Sequence, residues 1–396
     1  MDALEAAGGA GCARFVGGCV RNAILGAPVR DIDIATVLTP PEVTSTLKNA
    51  GLKAIPTGLD HGTITAVAKG RPFEITTLRR DVETDGRRAV VAFTTDWAED
   101  AARRDFRLNA LYADRGGRIF DPTGHGLADA RAGAIVFVGD PATRIAEDAL
   151  RIPRFFRFLA WYGRGEPDAA ALAACAAHKA KLAGLSAERI GQEMLKLLAA
   201  LDPRPAVRLM AGAGVLEALV PAAADLARFD ALVGIETGTP FTDDALLRLA
   251  ALLPDDAEAA AVAAARLRLS NAQRDRLAAA LGPGPALASS MSARELRRMV
   301  YRLGGDATCD RIMLAWAASA RPAEALQWQA LLSLARRWTP PRLPLTGDEV
   351  MAAGVPPGPR IGAVLREVEA WWVDQDFPDD RAAVLERLSA VSRMAN

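Results

Sequence analysis

Residues 14–36 read RFVGGCVRNAILGAPVRDIDIAT, and this stretch decides how the amino-terminal region folds. It predicts a strand at Arg14–Val16, two glycines, a short helix carrying Arg21, and a second strand at Asp31–Thr36. Glycine has no Cβ, so Gly17 and Gly18 let backbone amides approach an anion closely, and the start of the following helix favours anionic oxygens. Both are candidates to cradle a triphosphate, with Arg21 adding charge-assisted bonds. Strand residues two apart share a face, so Asp31 and Asp33 present both carboxylates to one spot while Ile32 and Ile34 turn to the core. Magnesium takes a few carboxylate oxygens plus substrate phosphates, and two such ions can activate a 3′-hydroxyl and stabilise a leaving pyrophosphate. A D-x-D tripeptide alone is usually a solvated strand edge. Set behind Gly-Gly-x-x-Arg, Asp31 and Asp33 become a candidate catalytic and metal-binding pair.

Working outward, further strands are predicted at Thr63–Ala68, Phe73–Leu78, Val90–Phe93 and Ala134–Val138. Glu74 lies on one of them, either as a third acidic residue near the metal or as an exposed strand charge. His61-Gly62 reads as a turn. With three histidines in the chain, an imidazole metal centre is hard to assemble. From about Pro141 onward Ala/Leu/Arg periodicity replaces the strand signal, with helices predicted at Glu147–Tyr162, Glu188–Leu201 and Arg294–Leu303. The fold class is therefore an α/β region with a small mixed sheet, followed by an all-α remainder. Breaks at Asp202-Pro203, Leu253-Pro254, Gly282–Pro285 and Thr339-Pro340-Pro341 read as helix boundaries or subdomain joints, and with the change from strand to helix signal the expected parts are 1–139, 140–202, 203–283 and 284–396.

The 396 residues exceed one ordinary core, and 51% hydrophobic with 24% charged residues is a globular balance. Lys+Arg and Asp+Glu both number 48, which excludes a protein gripping nucleic acid through overwhelming positive charge; an RNA site has to be a local basic face. Cys12, Cys19, Cys175 and Cys309 lack metal-site or disulfide spacing and are expected to be buried thiols. The amino terminus has no basic start with an apolar run, and no later segment has the length of an apolar span. A cytoplasmic protein without a membrane partner is expected.

Two more stretches follow in order, RRDFRLNAL at 103–111 and EDALRIPRFFRF at 147–158. With GGCVRNAILG and DIDIAT they resemble the three best-known motifs of the bacterial-type, class II CCA-adding tRNA nucleotidyltransferases and poly(A) polymerases. The motif-bearing resemblance covers the first half of the chain. It implies an α/β nucleotidyltransferase head followed by an all-α neck, body and tail, with Mg2+ as cofactor, CTP and ATP as substrates and the tRNA 3′ end as partner. It also implies ribose handling by Arg104, Asp105 and Asn109, and base recognition by Glu147, Asp148 and Arg151. The residue types agree. Asp105 and Asn109 can bond sugar hydroxyls and so sense the 2′-OH. Asp148 and Arg151, three apart on the predicted helix, share a face; the aspartate accepts from an exocyclic amino group and the arginine donates in a fixed fork.

The sequence departs from the family pattern at Asn22, commonly Asp, at Arg107, commonly Thr, and at Pro153, where a kink just beyond Arg151 is expected. The stretch RRDVETDGRRAVVAF at 79–93 resembles the mobile loop of complete CCA-adding and A-adding relatives, which CC-adding relatives typically lack, although Arg87 and Arg88 can equally be solvated hairpin residues. For the acceptor stem, Arg154 and Arg157 near the site and Arg294 and Arg298 farther on are candidate nucleic-acid contacts; solvated helix faces are the alternative. No HD metal-hydrolase signature is present. The rival readings are a poly(A) polymerase of the same family, a non-catalytic RNA-binding protein, and nucleotidyl transfer to a small molecule, for which the long helical half would be surplus.

Overall fold

The structure, a computed structural model, describes residues 1–84, 89–223, 225–237, 244–319 and 321–395. It divides into two units: Met1–Ala223 with Asp243–Ala245 and Ala265–Leu269, and Ala224–Thr242 with Leu246–Ala264 and Ser270–Asn396.

The first unit opens with α1 (Asp2–Gly8), β1 (Ala13–Val16), α2 (Gly18–Ile24), β2 (Asp33–Thr36) and α3 (Pro40–Asn49). Next come β3 (Lys53–Gly58), β4 (Thr63–Ala68), β5 (Arg71–Thr77), β6 (Arg79–Thr84), β7 (Ala89–Phe93), α4 (Trp97–Ala102), β8 (Tyr112–Ala113), β9 (Ile119–Phe120) and α5 (Gly126–Ala132). Seven strands form one sheet in the order β3-β4-β5-β2-β1-β8-β9, and β6 and β7 form a second. Among the described residues, only β2 and β5 pair in parallel. Each face of the large sheet has its own core. Ala13 and Ile34 pack with Val43 and Leu47 of α3 on one side, while Val16, Ala35 and Tyr112 pack with Ala101 of α4 on the other.

Several expectations change here. The second strand begins at Asp33, so Asp31 lies in the segment before it. A strand at Lys53–Gly58 was not among those expected; it is an edge strand with an irregular register, where Pro56, which has no N–H, is tolerated. Ala134–Val138 is not a strand but makes a single bridge, Phe106 to Phe137. Arg87 and Arg88 lie outside the described residues.

The unit continues with α6 (Pro141–Glu147), α7 (Arg151–Tyr162), α8 (Ala169–His178), α9 (Ala187–Leu198), α10 (Arg204–Gly212) and α11 (Val215–Leu219). The single helix expected over Glu147–Tyr162 is therefore two. Asp148 sits in the junction with an extended backbone, φ −146° and ψ 106°, so it does not share a helical face with Arg151. Pro153 is the third residue of α7, within the first turn, where amides have no intrahelical acceptor; it starts the helix instead of kinking it. Phe106 joins the sheet region to these helices, its ring 4.9 Å from Phe137 and 4.8 Å from Phe158.

The second unit is helical: α12 (Leu226–Thr237), α13 (Ala245–Leu252), α14 (Ala257–Arg266), α15 (Asn271–Leu281), α16 (Ala293–Leu303), α17 (Gly305–Ser319), α18 (Ala325–Arg337), α19 (Gly347–Ala352), α20 (Pro359–Asp374) and α21 (Arg381–Ala395), the boundary residues Ala245 and Ala265–Arg266 belonging to the first unit. Helix α16 starts at a capping box in which Ser292 and Glu295 exchange bonds. Valines and Trp372 of α20 and α21 pack with Leu345 and Val350. Among the described residues no helix is long and apolar enough to cross a membrane. Cys12, Cys19 and Cys175 are buried, whereas Cys309 is only half-buried.

Candidate active site

The pairing of β2 with β5 sets Asp33 directly opposite Glu74, and Ile34 opposite Ile75. The two isoleucines are buried on the α3 side, so both carboxylates face the other way, toward α4. Burial first, then Glu74 and Asp31, push the Asp33 carboxyl above its ordinary range, against the opposing pull of Arg104. Glu74 across the sheet and Asp31 before the strand thus both act on the Asp33 carboxylate. They do not form a preformed cage: among the described residues no three acidic, His or Cys side chains are gathered as a metal site. That donor set fits magnesium, which relies on one or two carboxylates and completes its shell with substrate phosphates and water.

Gly17 caps α2 with φ 70° and ψ −124°, a conformation that disfavours any side chain. A Cβ there would stand 3.5 Å from Arg104 Nη1 and 3.8 Å from the Asn109 carbonyl, so the glycine turn and the 103–109 motif adjoin. Arg21 is turned inward. Its Nη1 donates to Asn109 Oδ1 at 2.5 Å, Nη2 to the Tyr162 hydroxyl at 2.7 Å and to Asn22 Oδ1 at 2.9 Å, and its guanidinium lies 4.0 Å from the Tyr162 ring centre. Burial lowers its pKa. Asn22, the departure from the family pattern, accepts from Arg21 and donates to the Pro28 carbonyl at 2.9 Å.

Asp105 is held by four donors. Oδ1 accepts from the Phe106 amide at 2.8 Å and Asn109 Nδ2 at 3.0 Å; Oδ2 accepts from Arg154 Nε at 3.0 Å and from Arg154 Nη2. Burial raises its pKa, but Arg154 and Asn109 outweigh it and hold the carboxyl at about 2. Arg107, the second departure, pairs with Asp129 of α5 at 2.6 Å.

Asp148 and Arg151 do not bond each other. Asp148 Oδ2 accepts from Arg189 Nη2 at 2.8 Å, and Oδ1 from the Leu150 amide at 3.0 Å. Arg151 donates to Glu147 Oε2 at 2.5 Å, to the Arg144 carbonyl at 2.7 Å and to the Arg103 carbonyl at 3.1 Å. The last bond ties α7 to the segment that carries Arg104.

The basic residues expected on the RNA face are engaged within the protein. Arg154 and Arg157 share Glu193 of α9, at 3.5 and 2.5 Å. Arg294 donates to the Asp374 carbonyl, and Arg298 to the same carbonyl at 2.7 Å and to that of Val373 at 3.4 Å. These arginines satisfy the carbonyl end of α20, a favourable place for positive charge.

Sequence reasoning missed Asp100, Tyr112, Glu193 and Arg189. The signal for Asp100 was available, since it stands three and four residues before Arg103 and Arg104 at a helix end. Glu193 and Arg189 sit one helical turn apart on α9, but their partners are distant in sequence.

Residues 13–136 match the family described as "Poly A polymerase head domain", and residues 166–226 the one described as "Probable RNA and SrmB- binding site of polymerase A". Over 385 residues the chain is 34% identical to CCA tRNA nucleotidyltransferase 1, mitochondrial, of Mus musculus, covering 94% of this chain and 85% of that protein. The chain belongs to the CCA tRNA nucleotidyltransferase family. A CCA-adding enzyme of Levilactobacillus brevis is 32% identical, with 94% of this chain and 92% of the relative covered. The crystal structure of the Bacillus stearothermophilus CCA-adding enzyme in complex with CTP superposes with a TM-score of 0.76 at 26% identity, over 97% of this chain and 94% of that one. The head-and-helices architecture is that of this nucleotidyltransferase family.

Proposed function

We propose that the chain adds CCA to the 3′ end of tRNA from CTP and ATP, without a nucleic-acid template, and does so in the cytoplasm. The observation that carries this reading is the convergence of Asp33, Glu74, Gly17 and Arg104 at one end of β2, next to the segment on which Arg151 rests. Asp31, Asp33 and Glu74 are the residues that hold Mg2+, which when bound activates the 3′-hydroxyl and stabilises the leaving pyrophosphate. Gly17 and Gly18 bring backbone amides to the triphosphate, and Arg104 adds a positive charge beside them. Arg21 acts from behind, holding Asn109 in place next to the turn. Asp105 and Asn109 meet the ribose, and Glu147 steadies Arg151 so that it donates to the ring acceptor of cytosine or adenine while Asp148 accepts from the amino group beside it.

The division of labour follows head 1–139, neck 140–202, body 203–283 and tail 284–396, the tail meeting tRNA. A poly(A) polymerase is disfavoured, because the near full-length relatives compared above are named as CCA tRNA nucleotidyltransferase or CCA-adding enzyme. The test is incorporation of labelled CTP into a tRNA transcript that ends before CCA, with magnesium and with a chelator. Chelator-sensitive incorporation is expected; none in either condition would remove the reading.

A further inference from the structure

Asp100, on α4, is 1% exposed, and its carboxylate is the meeting point of the Arg103 and Arg104 side chains, the Tyr112 hydroxyl and the Arg79 backbone amide. Oδ2 accepts from Arg104 Nε at 3.2 Å, Arg104 Nη2 at 3.0 Å and the Tyr112 hydroxyl at 2.7 Å. Oδ1 accepts from Arg103 Nε at 2.9 Å and from the Arg79 amide at 3.4 Å. Burial pushes its pKa up, yet Arg104, Arg103 and Tyr112 outweigh that and hold it at about 2. The group is a permanent anion at neutral pH.

What this anion leaves free is informative. A guanidinium carries donors along three edges, and Asp100 occupies the Nε and Nη2 edge of Arg104. Nη1 makes no hydrogen bond to the described residues and stands 3.5 Å from where a Gly17 Cβ would be. Tyr112, fully buried on β8 with Trp97 edge-on at 5.1 Å, closes the back of the arrangement and keeps the carboxylate from swinging away. An arginine at the end of a flexible stem is a poor aimer unless one edge is fixed; here one edge is fixed and the other points at the glycine turn.

We propose that Asp100 is a positioning residue for nucleotidyl transfer, fixing Arg104 so that Nη1 meets the incoming nucleotide at Gly17, with Tyr112 as its support. The proposal rests on the reading of Gly17 and Arg104 as nucleotide-binding groups. A purely architectural Asp100, holding α4 against β6, would not act through Arg104, and that difference is measurable.

The experiment is a double-mutant cycle of Asp100→Asn and Arg104→Ala, reading KM for CTP, kcat and KM for tRNA, with thermal melts alongside. Asp100→Asn should lower kcat/KM for CTP by roughly tenfold to a hundredfold, the size expected on losing a charged hydrogen-bond partner, with KM for tRNA unchanged. In the Arg104→Ala background the same substitution should cost nothing further. Tyr112→Phe should lose about threefold and couple to Arg104 in the same direction; it carries the test if Asp100→Asn does not fold. An equal loss in both backgrounds would overturn the proposal. Calorimetric CTP binding reads the same cycle without turnover, so failure of the wild type to extend tRNA would count against the proposed function and not against this one.

Discussion

Asp105 accepts Arg154 Nε at 3.0 Å, which binds the loop after α4 to the first turns of α7. Its other oxygen is occupied by Asn109 and the Phe106 amide. A ribose hydroxyl can reach this carboxylate only by sharing or displacing one of those donors, so the aim of Asp105 depends on Arg154.

Arg154→Ala should therefore weaken discrimination against deoxyribonucleotides. We expect the ratio of kcat/KM for CTP over dCTP to fall by about tenfold, the scale of one charged hydrogen bond. An unchanged ratio with weaker tRNA binding would return Arg154 to the RNA-contact role that its sequence position suggested.

Acid should destabilise the first unit in a defined window. Asp100 and Asp105 are both held at about 2 against an ordinary value of 3.8. Because the folded pKa is depressed, the unfolded chain binds protons first. The stabilisation is complete above about pH 4 and is lost as pH falls toward 2, about 2 kcal/mol per group on a scale of 1.36 kcal/mol per pKa unit. Denaturant melts across that range should show the loss, and Asp105→Asn should flatten the slope. A slope unchanged by the substitution would contradict the assignment.

Glu147 bonds Arg151 at 2.5 Å, while Asp148 is steadied separately by Arg189. Replacing either reader, by Asp148→Ala or Arg151→Ala, should raise relative UTP or GTP incorporation and lower overall efficiency, since mismatched bases no longer leave buried groups unpaired. Glu147→Gln should resemble Arg151→Ala in milder form. Competition assays with all four nucleotides measure this; full discrimination in both alanine variants would reduce the α6–α7 junction to architecture.

Arg298 lies against the carbonyl end of α20. Arg298→Ala should lower the thermal stability of the second unit by about 1 kcal/mol while leaving the salt dependence of tRNA binding unaltered. A shallower salt slope would mean that Arg298 touches phosphate after all.

The parts legible in the sequence were those with local periodicity or steric necessity. Alternation around Ile32 and Ile34 located the sheet core, and Gly17 signalled its own backbone conformation. Glu74 could be named but not placed; its position opposite Asp33 comes from a parallel pairing whose register only the folded sheet defines. The α6–α7 break was hidden because Glu147 to Tyr162 is compatible with one continuous helix, and Asp148 leaves it to cap the Leu150 amide. Arginines gave the least: composition does not distinguish one that meets RNA from Arg157, which is paired with Glu193 inside the protein.

The central claim is that paired carboxylates on β2 and its preceding segment serve chemistry limited to C, C and A. The most direct measurement extends a tRNA transcript ending before CCA and resolves products to single nucleotides, with CTP alone, with CTP and ATP, and with Asp31→Ala and Asp33→Ala proteins. The account predicts two additions with CTP alone, a stop after the third with both nucleotides, and no extension by either variant despite retained tRNA binding. A lengthening adenosine ladder, or wild-type turnover by Asp33→Ala, would contradict it.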